Sequence, residues 1–341
     1  MTKSEQLVVQ VINLQGTYFQ FGLEQSSEVT TKPFKEKMDI LHYITRNAND
    51  RKARELLEDI SPNLLHEIEG LSQGLKMPLD AVIRLFSGYD IDYPEMGCTT
   101  LIHAGYYVRN YDFSDSFYDA RLVFTNPRSG FSSVGFSHSL IGRLDGMNEK
   151  GLVVGLHFVN HQHKQEGFLA TMIVRILLEE CSTTEEAVKL LKMIPHGYCY
   201  NYSITDKEGK TVKVEASPQQ QIEITSNPLI CTNHFEQASL KSLNQEYISR
   251  SENRKSYLQQ LLEKKPTALS AYHHFNKENS PLFFHNYKEF FGTLHTVIYS
   301  PEDLSVIIGV GGNFAPVKLS LSEYMQGDTT LPRELIGVIK V

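Results

Sequence analysis

Residues 5–17, EQLVVQVINLQGT, are rich in branched apolar side chains and end beside a glycine, which predicts a strand. The pattern is then helical from about Lys37 to Phe86. Ser61-Pro62 makes a good N-cap and first-turn pair, and Leu64, Leu65, Ile68 and Leu71 follow at helical spacing. Pro78 opens a further helix with Leu79, Val82, Ile83 and Phe86 on one side. At Cys98 the pattern changes to that of strands, over 99–112, 120–126, 132–138 and 151–159. In the last, Leu152, Val154, Leu156 and Phe158 mark one face. A helical pair comes next. LATMIVRILLEE groups Met172, Ile173, Ile176 and Leu177; STTEEAVKLLKMIP offers Ser182 and Glu185 as a capping box and stops at Pro195. Two strand pairs are expected after it, 200–205 with 211–216 and 220–225 with 229–233. A helix over 251–263 and a closing hairpin, LHTVIYSPEDLSVIIGVGG, complete the pattern. Strands, then helices, then strands predict sheets covered by helices, an α+β layered domain.

Composition narrows the function classes. A 341-residue chain with 41% hydrophobic and 21% charged residues is globular. Its formal charge of −7 argues against nucleic acid or an anionic membrane as the main partner. No apolar run approaches the ~20 residues that span a bilayer. The start, MTKSEQLVVQVINLQG, lacks a signal-peptide core, so a cytoplasmic protein is expected. Four cysteines, 98, 181, 199 and 231, form no CxxC pair and fit neither a disulfide framework nor a zinc ribbon.

The stretch MGCTTLIHAGYYVRNYDF, residues 96–113, carries the candidate chemistry. A two-residue turn at Ala104-Gly105 sets His103 opposite Tyr106 and Cys98 opposite Tyr111. Arg109 and Asp112 then return to the neighbourhood of Cys98. A slip of one residue would exchange the faces. Arg109 and Asp112 are three apart, so a regular strand points them to opposite sides; a bulge or a fraying end is needed for both to address the thiol.

A thiol needs a base to act as a nucleophile at neutral pH, since an ordinary cysteine titrates near pH ~8.5. Cleavage of the Gly97–Cys98 bond would supply one. The freed α-amine of Cys98 would titrate near pH ~8 and sit on the same residue as the thiol. Glycine before the cysteine suits this reading, because it tolerates unusual φ/ψ and a close approach. A Gly-Cys pair taken alone points to a structural cysteine.

The full set of motifs resembles the N-terminal-nucleophile (Ntn) hydrolases of the penicillin acyltransferase family, related to the choloylglycine hydrolases. MGCTTLI resembles the self-cleavage site of that family. VRNYDF is similar to its GRN-x-D signature, matching Arg109 and Asp112. DGMNEKGLVVGLHFVN resembles the N-E-x-G-L turn and the strand after it. LICTNHFE resembles a TNH or TNQ strand whose asparagine, here Asn233, contributes to the oxyanion hole. SENRKSYL resembles a later segment near the site, matching Arg254. The early LQGTYFQFGLEQ is similar to an N-terminal stretch of the acyltransferase branch. One position departs: relatives carry a second oxyanion-hole asparagine where this strand has His157.

The resemblance implies a four-layer αββα sandwich. It implies that residues 1–97 become a retained, largely helical small subunit and that 98–341 form the catalytic domain. Cys98 would attack an amide or thioester carbonyl, with Arg109 and Asp112 orienting its amine and thiol and Asn233 donating to the oxyanion. No cofactor or metal is implied. The expected partners are a small-molecule amide or acyl thioester, acyl-coenzyme A among them, and the chain's own N-terminal fragment, with room left for a homo-oligomer. Two alternatives stand beside this reading. One is a papain-like hydrolase using His138 or His157 without self-cleavage; the other is a ligand-binding relative without turnover.

Other motifs point elsewhere less firmly. His157, His161 and His163 in HFVNHQH are candidate metal ligands, but no carboxylate or cysteine stands at a familiar spacing, and the stretch reads as a polar loop after a strand. GVGGN at 309–313 opens no clear helix, which argues against phosphate binding. Tyr198, Tyr200 and Tyr202 alternate along one strand, as pocket or core residues do.

Overall fold

The computed structural model describes residues 3–29, 31–92, 96–160, 164–327 and 330–340. Strand β1 (Ser4–Gly16) leads into helices α1 (Tyr18–Val29), α2 (Lys32–Ile44), α3 (Asp50–Ile60), α4 (Pro62–Leu75) and α5 (Leu79–Phe86). The hairpin β2 (Gly97–His103) and β3 (Tyr106–Phe113) precedes four strands, β4 (Arg121–Pro127), β5 (Ser133–His138), β6 (Gly142–Asn148) and β7 (Val153–Asn160). Helices α6 (Ala170–Glu180) and α7 (Thr184–Leu191) separate these from β8 (Cys199–Thr205), β9 (Thr211–Ala216), β10 (Gln221–Thr225) and β11 (Leu229–Cys231). Then come α8 (Ser249–Glu263), α9 (Ala268–Asn276), β12 (His285–Asn286), β13 (Phe291–Ser300), β14 (Ser305–Val310), β15 (Val317–Ser320), α10 (Leu321–Gln326) and β16 (Glu334–Lys340).

Among the described residues the strands make two sheets. One has nine strands in the order β10-β9-β8-β7-β6-β5-β4-β1-β16; the other has β11-β2-β3-β13-β14-β15, with β12 beside β13. The sheets pack face to face, and side chains bridge them: Tyr107 Oη to Ser203 Oγ at 2.8 Å, and Tyr299 Oη donating to Asp145 Oδ1 at 2.5 Å. Helices α6 and α7 cover the outer face of the larger sheet, and α8 and α9 the outer face of the smaller. This is the four-layer αββα arrangement.

The N-terminal segment is built into these layers. β1 pairs with β16 on one side and, in parallel, with β4 on the other. Helix α1 crosses α4 where two glycines meet. A Cβ on Gly22 would stand 1.9 Å from the Glu67 carbonyl oxygen, and one on Gly70 2.0 Å from that of Phe19. Behind this contact lies a buried polar network. Arg175 on α6 bonds Glu67 on α4 at 2.7 Å and Glu179 at 2.6 Å; Gln25 on α1 donates to Glu67 at 2.6 Å.

Three local expectations need correction. Ser61 precedes α4, but its hydroxyl donates to Glu180 at 2.7 Å and does not cap the helix. The cap of α7 is Thr183, accepting from the Glu186 N–H, one residue beyond the Ser182–Glu185 box. Segments 220–225 and 229–231 do not pair with each other: β10 extends the larger sheet beside β9, whereas β11 pairs with β2 in the smaller one.

Candidate active site

The β2–β3 hairpin has the expected register, with His103 opposite Tyr106, Thr100 opposite Arg109 and Cys98 opposite Tyr111. Ala104 and Gly105 both have positive φ, 46° and 80°, as a tight two-residue hairpin turn demands. No bulge interrupts this pairing; the irregularity lies on β13, between Thr293 and His295. Arg109 and Asp112 therefore do occupy opposite faces. Only Arg109 shares the inter-sheet face with the Cys98 thiol.

On that face Arg109 Nη2 donates to Cys98 Sγ at 2.8 Å and to the Leu156 carbonyl at 2.9 Å. Its Nη1 donates to Asp145 on β6, and both side chains are fully buried. Burial opposes the guanidinium charge, but the Cys98 sulfur and Asp145 outweigh it and raise the Arg109 pKa. Burial likewise works to raise the Asp145 pKa; Arg109, His295 and Tyr299 hold it below the usual carboxylate value. Asp145 is a site residue that sequence reasoning missed. Its only signal is an aspartate within the DGMNEKG stretch, in a strand that also escaped prediction.

Asp112 sits on the other face, where α8 reaches the end of β2. It accepts from Thr293 Oγ1 at 2.6 Å, and Arg254 Nη1 lies 3.8 Å from its second oxygen. Arg254 donates to the Cys98 carbonyl at 2.8 Å, to Thr99 Oγ1 at 2.6 Å and to Asn233 Oδ1 at 2.9 Å. Burial pushes the Asp112 carboxyl up to about 6, against the pull of Arg254, Thr293 and Arg109. Asp112 meets the cysteine through Arg254 and through Gly97, where a Cβ would stand 3.1 Å from its own and 2.5 Å from the Phe291 ring. Gly97 is not among the positive-φ residues. It is required for close packing rather than for unusual backbone angles.

Asn233 follows β11. Its Oδ1 accepts from the Cys98 backbone N–H at 3.0 Å as well as from Arg254. Its Nδ2 donates to the Phe158 carbonyl at 2.7 Å. Two donors on one side and an acceptor on the other fix the amide orientation. Among the described residues the second Nδ2 hydrogen has no acceptor.

Burial pushes the Cys98 thiol up to about 12; Arg109 pulls it down and Asp112 pushes it further up. The thiol is thus neutral in the intact chain. His157, on β7, is also fully buried, and its Nε2 pairs with Ser203 Oγ at 3.0 Å. Burial and then the Arg109 charge hold its pKa well below the ordinary value, with the Cys98 backbone opposing. Its ring is neutral. The structure thus brings Cys98, Arg109, Asp112, Asn233, Arg254 and His157 together, and adds Asp145. His161 and His163 lie outside the described residues.

The family model for acyl-coenzyme A:6-aminopenicillanic acid acyl-transferase matches residues 101–314, and the chain belongs to that family. The match begins three residues after Cys98. Membership places the chain among the Ntn-type amidohydrolases and acyltransferases, in keeping with its αββα layers. Several solved structures are similar at low identity. A mutant of conjugated bile acid hydrolase from Clostridium perfringens is 15% identical, with 72% of this chain and 97% of that one covered and a TM-score of 0.48. Penicillin V acylase from Agrobacterium tumefaciens is 13% identical over 66% and 86%, with a TM-score of 0.39. An N-acylethanolamine-hydrolyzing acid amidase ortholog from Caenorhabditis elegans is 12% identical over 61% and 93%, with a TM-score of 0.40. No curated protein matches the chain. Among the described residues no helix is long and apolar enough to cross a membrane.

Proposed function

We propose that the protein is a self-processing cysteine amidohydrolase or acyltransferase whose nucleophile is Cys98. The observation that carries this reading is the placement of one residue's two reactive groups: Sγ against Arg109 at 2.8 Å, and the backbone nitrogen against Asn233 Oδ1 at 3.0 Å.

Processing begins with attack of Sγ on the Gly97 carbonyl. The Gly97–Cys98 C–N bond breaks, a thioester forms, and the thiol proton passes to the departing nitrogen. Water then cleaves the thioester, leaving a Gly97 carboxylate, a free thiol and the Cys98 α-amine. Residues 1–97 stay bound as the small subunit and 98–341 form the catalytic one.

In turnover the α-amine takes the thiol proton as Sγ attacks an amide or thioester carbonyl. Arg109 stabilises the thiolate, a role its short contact with sulfur supports. Asn233 Oδ1 and Arg254 hold the amine end in place, and the free Nδ2 hydrogen of Asn233 donates to the tetrahedral oxyanion. Asp112 fixes Arg254. The His157 side chain packs against the site as a neutral ring. The leaving amine or thiol receives the proton, and water or an amine acceptor resolves the acyl-enzyme. The substrate is a small-molecule amide or acyl thioester.

Acyl-enzyme trapping tests this. An activated thioester substrate, quenched early in acid, should leave its acyl mass on Cys98. Labelling spread evenly over Cys98, Cys181, Cys199 and Cys231 would refute the assignment.

A further inference from the structure

Asn233 stands in a stretch that no ladder holds. β11 ends at Cys231, and no strand or α-helix follows until α8. Side chains hold the backbone there instead. The Glu215 carboxylate on β9 accepts from the Glu236 and Gln237 N–H groups, each at 2.9 Å. Asn244 accepts from the Phe235 N–H at 2.6 Å and donates to the Phe235 carbonyl at 2.9 Å. The N–H of Asn233 itself donates to Ser251 Oγ on α8 at 2.8 Å. The residues on either side of Asn233 share one partner. Asn201 Nδ2 donates to the Thr232 carbonyl at 3.0 Å and to the His234 carbonyl at 2.8 Å. Asn201 is fully buried on β8, opposite His157, in the larger sheet, whereas β11 belongs to the smaller one. Both Nδ2 hydrogens are spent on the two carbonyls, which fixes the amide orientation. Among the described residues its Oδ1 has no hydrogen-bond partner. An unmet buried acceptor is costly, so packing alone would favour an apolar side chain at this position. The two carbonyls account for the asparagine.

Resting on the readings of Cys98 as the nucleophile and Asn233 as the oxyanion donor, we infer that Asn201 is the positioning residue that aims Asn233. It acts through backbone. By pinning the carbonyls before and after Asn233, it sets the direction in which that side chain leaves the chain, and so where Nδ2 points. The other contacts of the Asn233 amide fit this arrangement. Its Oδ1 meets the Cys98 N–H and Arg254, and its Nδ2 meets the Phe158 carbonyl on β7. β7 is the neighbour of β8, so the Phe158 carbonyl and the Asn201 clamp refer Asn233 to the same sheet. Without the clamp, the amide would shift with its loop. A misplacement of about 1 Å can cost ~10² in rate.

A double-mutant cycle separates aiming from general support of the fold. The probe is the fastest of a thiophenyl ester series from acetyl to octanoyl. Thiophenol release is measured per cleaved protein for wild type, Asn201→Ala, Asn233→Ala and the pair. Asn201→Ala alone should lower kcat at least about tenfold with KM little changed. In the Asn233→Ala background, where no donor is left to aim, it should lower kcat by less than about twofold. The denaturant midpoint should fall in both backgrounds, because the two carbonyls lose their partner either way. Asn201→Ser, which fills more of the site and keeps one donor, takes the same place in the cycle if the alanine variant does not fold. Equal kcat losses in the two backgrounds, or a wild-type kcat in the Asn201 variant, would overturn the proposal. So would Asn201 variants that stay uncut while Asn233→Ala is cut, since Asn201 would then act apart from Asn233. Each of these outcomes leaves the nucleophile standing while the wild type carries its acyl mass on Cys98. Absence of Cys98 acylation by every ester would overturn both.

Discussion

Arg109 and Asp145 form a fully buried ion pair across the two sheets, and the free end of the same guanidinium holds the Cys98 sulfur at 2.8 Å. The pair sets the position and charge of the group next to the proposed nucleophile. Breaking one partner of a buried pair costs about 3–5 kcal/mol because the other charge is stranded. Asp145→Asn, which keeps the shape, should lower the denaturant midpoint and slow Cys98 acylation. Asp145→Ala should do both more severely. An Asp145→Asn protein with wild-type acylation would show that Arg109 is positioned without it.

Asp112 gives the site a pH signature. Its folded-state pKa, about 6, lies above the ordinary 3.8. The stability linked to its neutral form is complete below pH 3.8 and is lost as pH rises through about 6. In the Cys98→Ala chain, kept uncut, adding Asp112→Asn should remove that loss, read as a flatter dependence of the denaturant midpoint between about pH 4 and about pH 7. If the ionised carboxylate is what fixes Arg254, turnover should fall on the acid side near pH 6. A wild-type pH profile in Asp112→Asn would contradict this role.

The proposed oxyanion role of Asn233 separates chemistry from binding in a mutant's kinetics. Loss of one oxyanion donor costs ~10²–10³ in kcat. Asn233→Ala should show that loss with KM little changed, and Asn233→Asp should be at least as slow, because a carboxylate accepts from Cys98 but repels the oxyanion. His157→Ala should be milder. A change in KM alone for Asn233→Ala would make it a substrate-binding residue.

Much of this site is legible in the sequence. Two turn residues, Ala104 and Gly105, fix the hairpin register, and that register places Arg109 on the thiol face. Parity along β3 puts Asp112 on the other. What escapes are residues whose environment is set by distant partners. Strand β6, GRLDGMN, shows no alternation because both of its faces are buried, with Asp145 satisfied by Arg109 and Tyr299 on another sheet. Helix α1 contains Gly22, which weakens a helix taken alone but lets α4 approach closely. β11 is a three-residue strand, and its choice of β2 over the adjacent β10 is made by sheet packing. Nothing in the 229–233 pattern distinguishes the two.

Residues 1–97 are anchored by β1 between β4 and β16 and by the Glu67–Arg175 pair. The two fragments should therefore elute together under native conditions and part only in denaturant. Glu67→Ala, which removes the one partner of Arg175 that belongs to residues 1–97 and leaves it paired with Glu179 alone, should lower the denaturant concentration at which they separate. Fragments that part spontaneously in native buffer would contradict this anchoring.

Cleavage between Gly97 and Cys98 is read from the intact mass of freshly purified protein. Two species of roughly 11 and 28 kDa are expected, the 38.8 kDa chain divided in proportion to residue number at position 97, and a single full-length species for Cys98→Ala. A wild-type protein that is fully active yet remains at 38.8 kDa would contradict it.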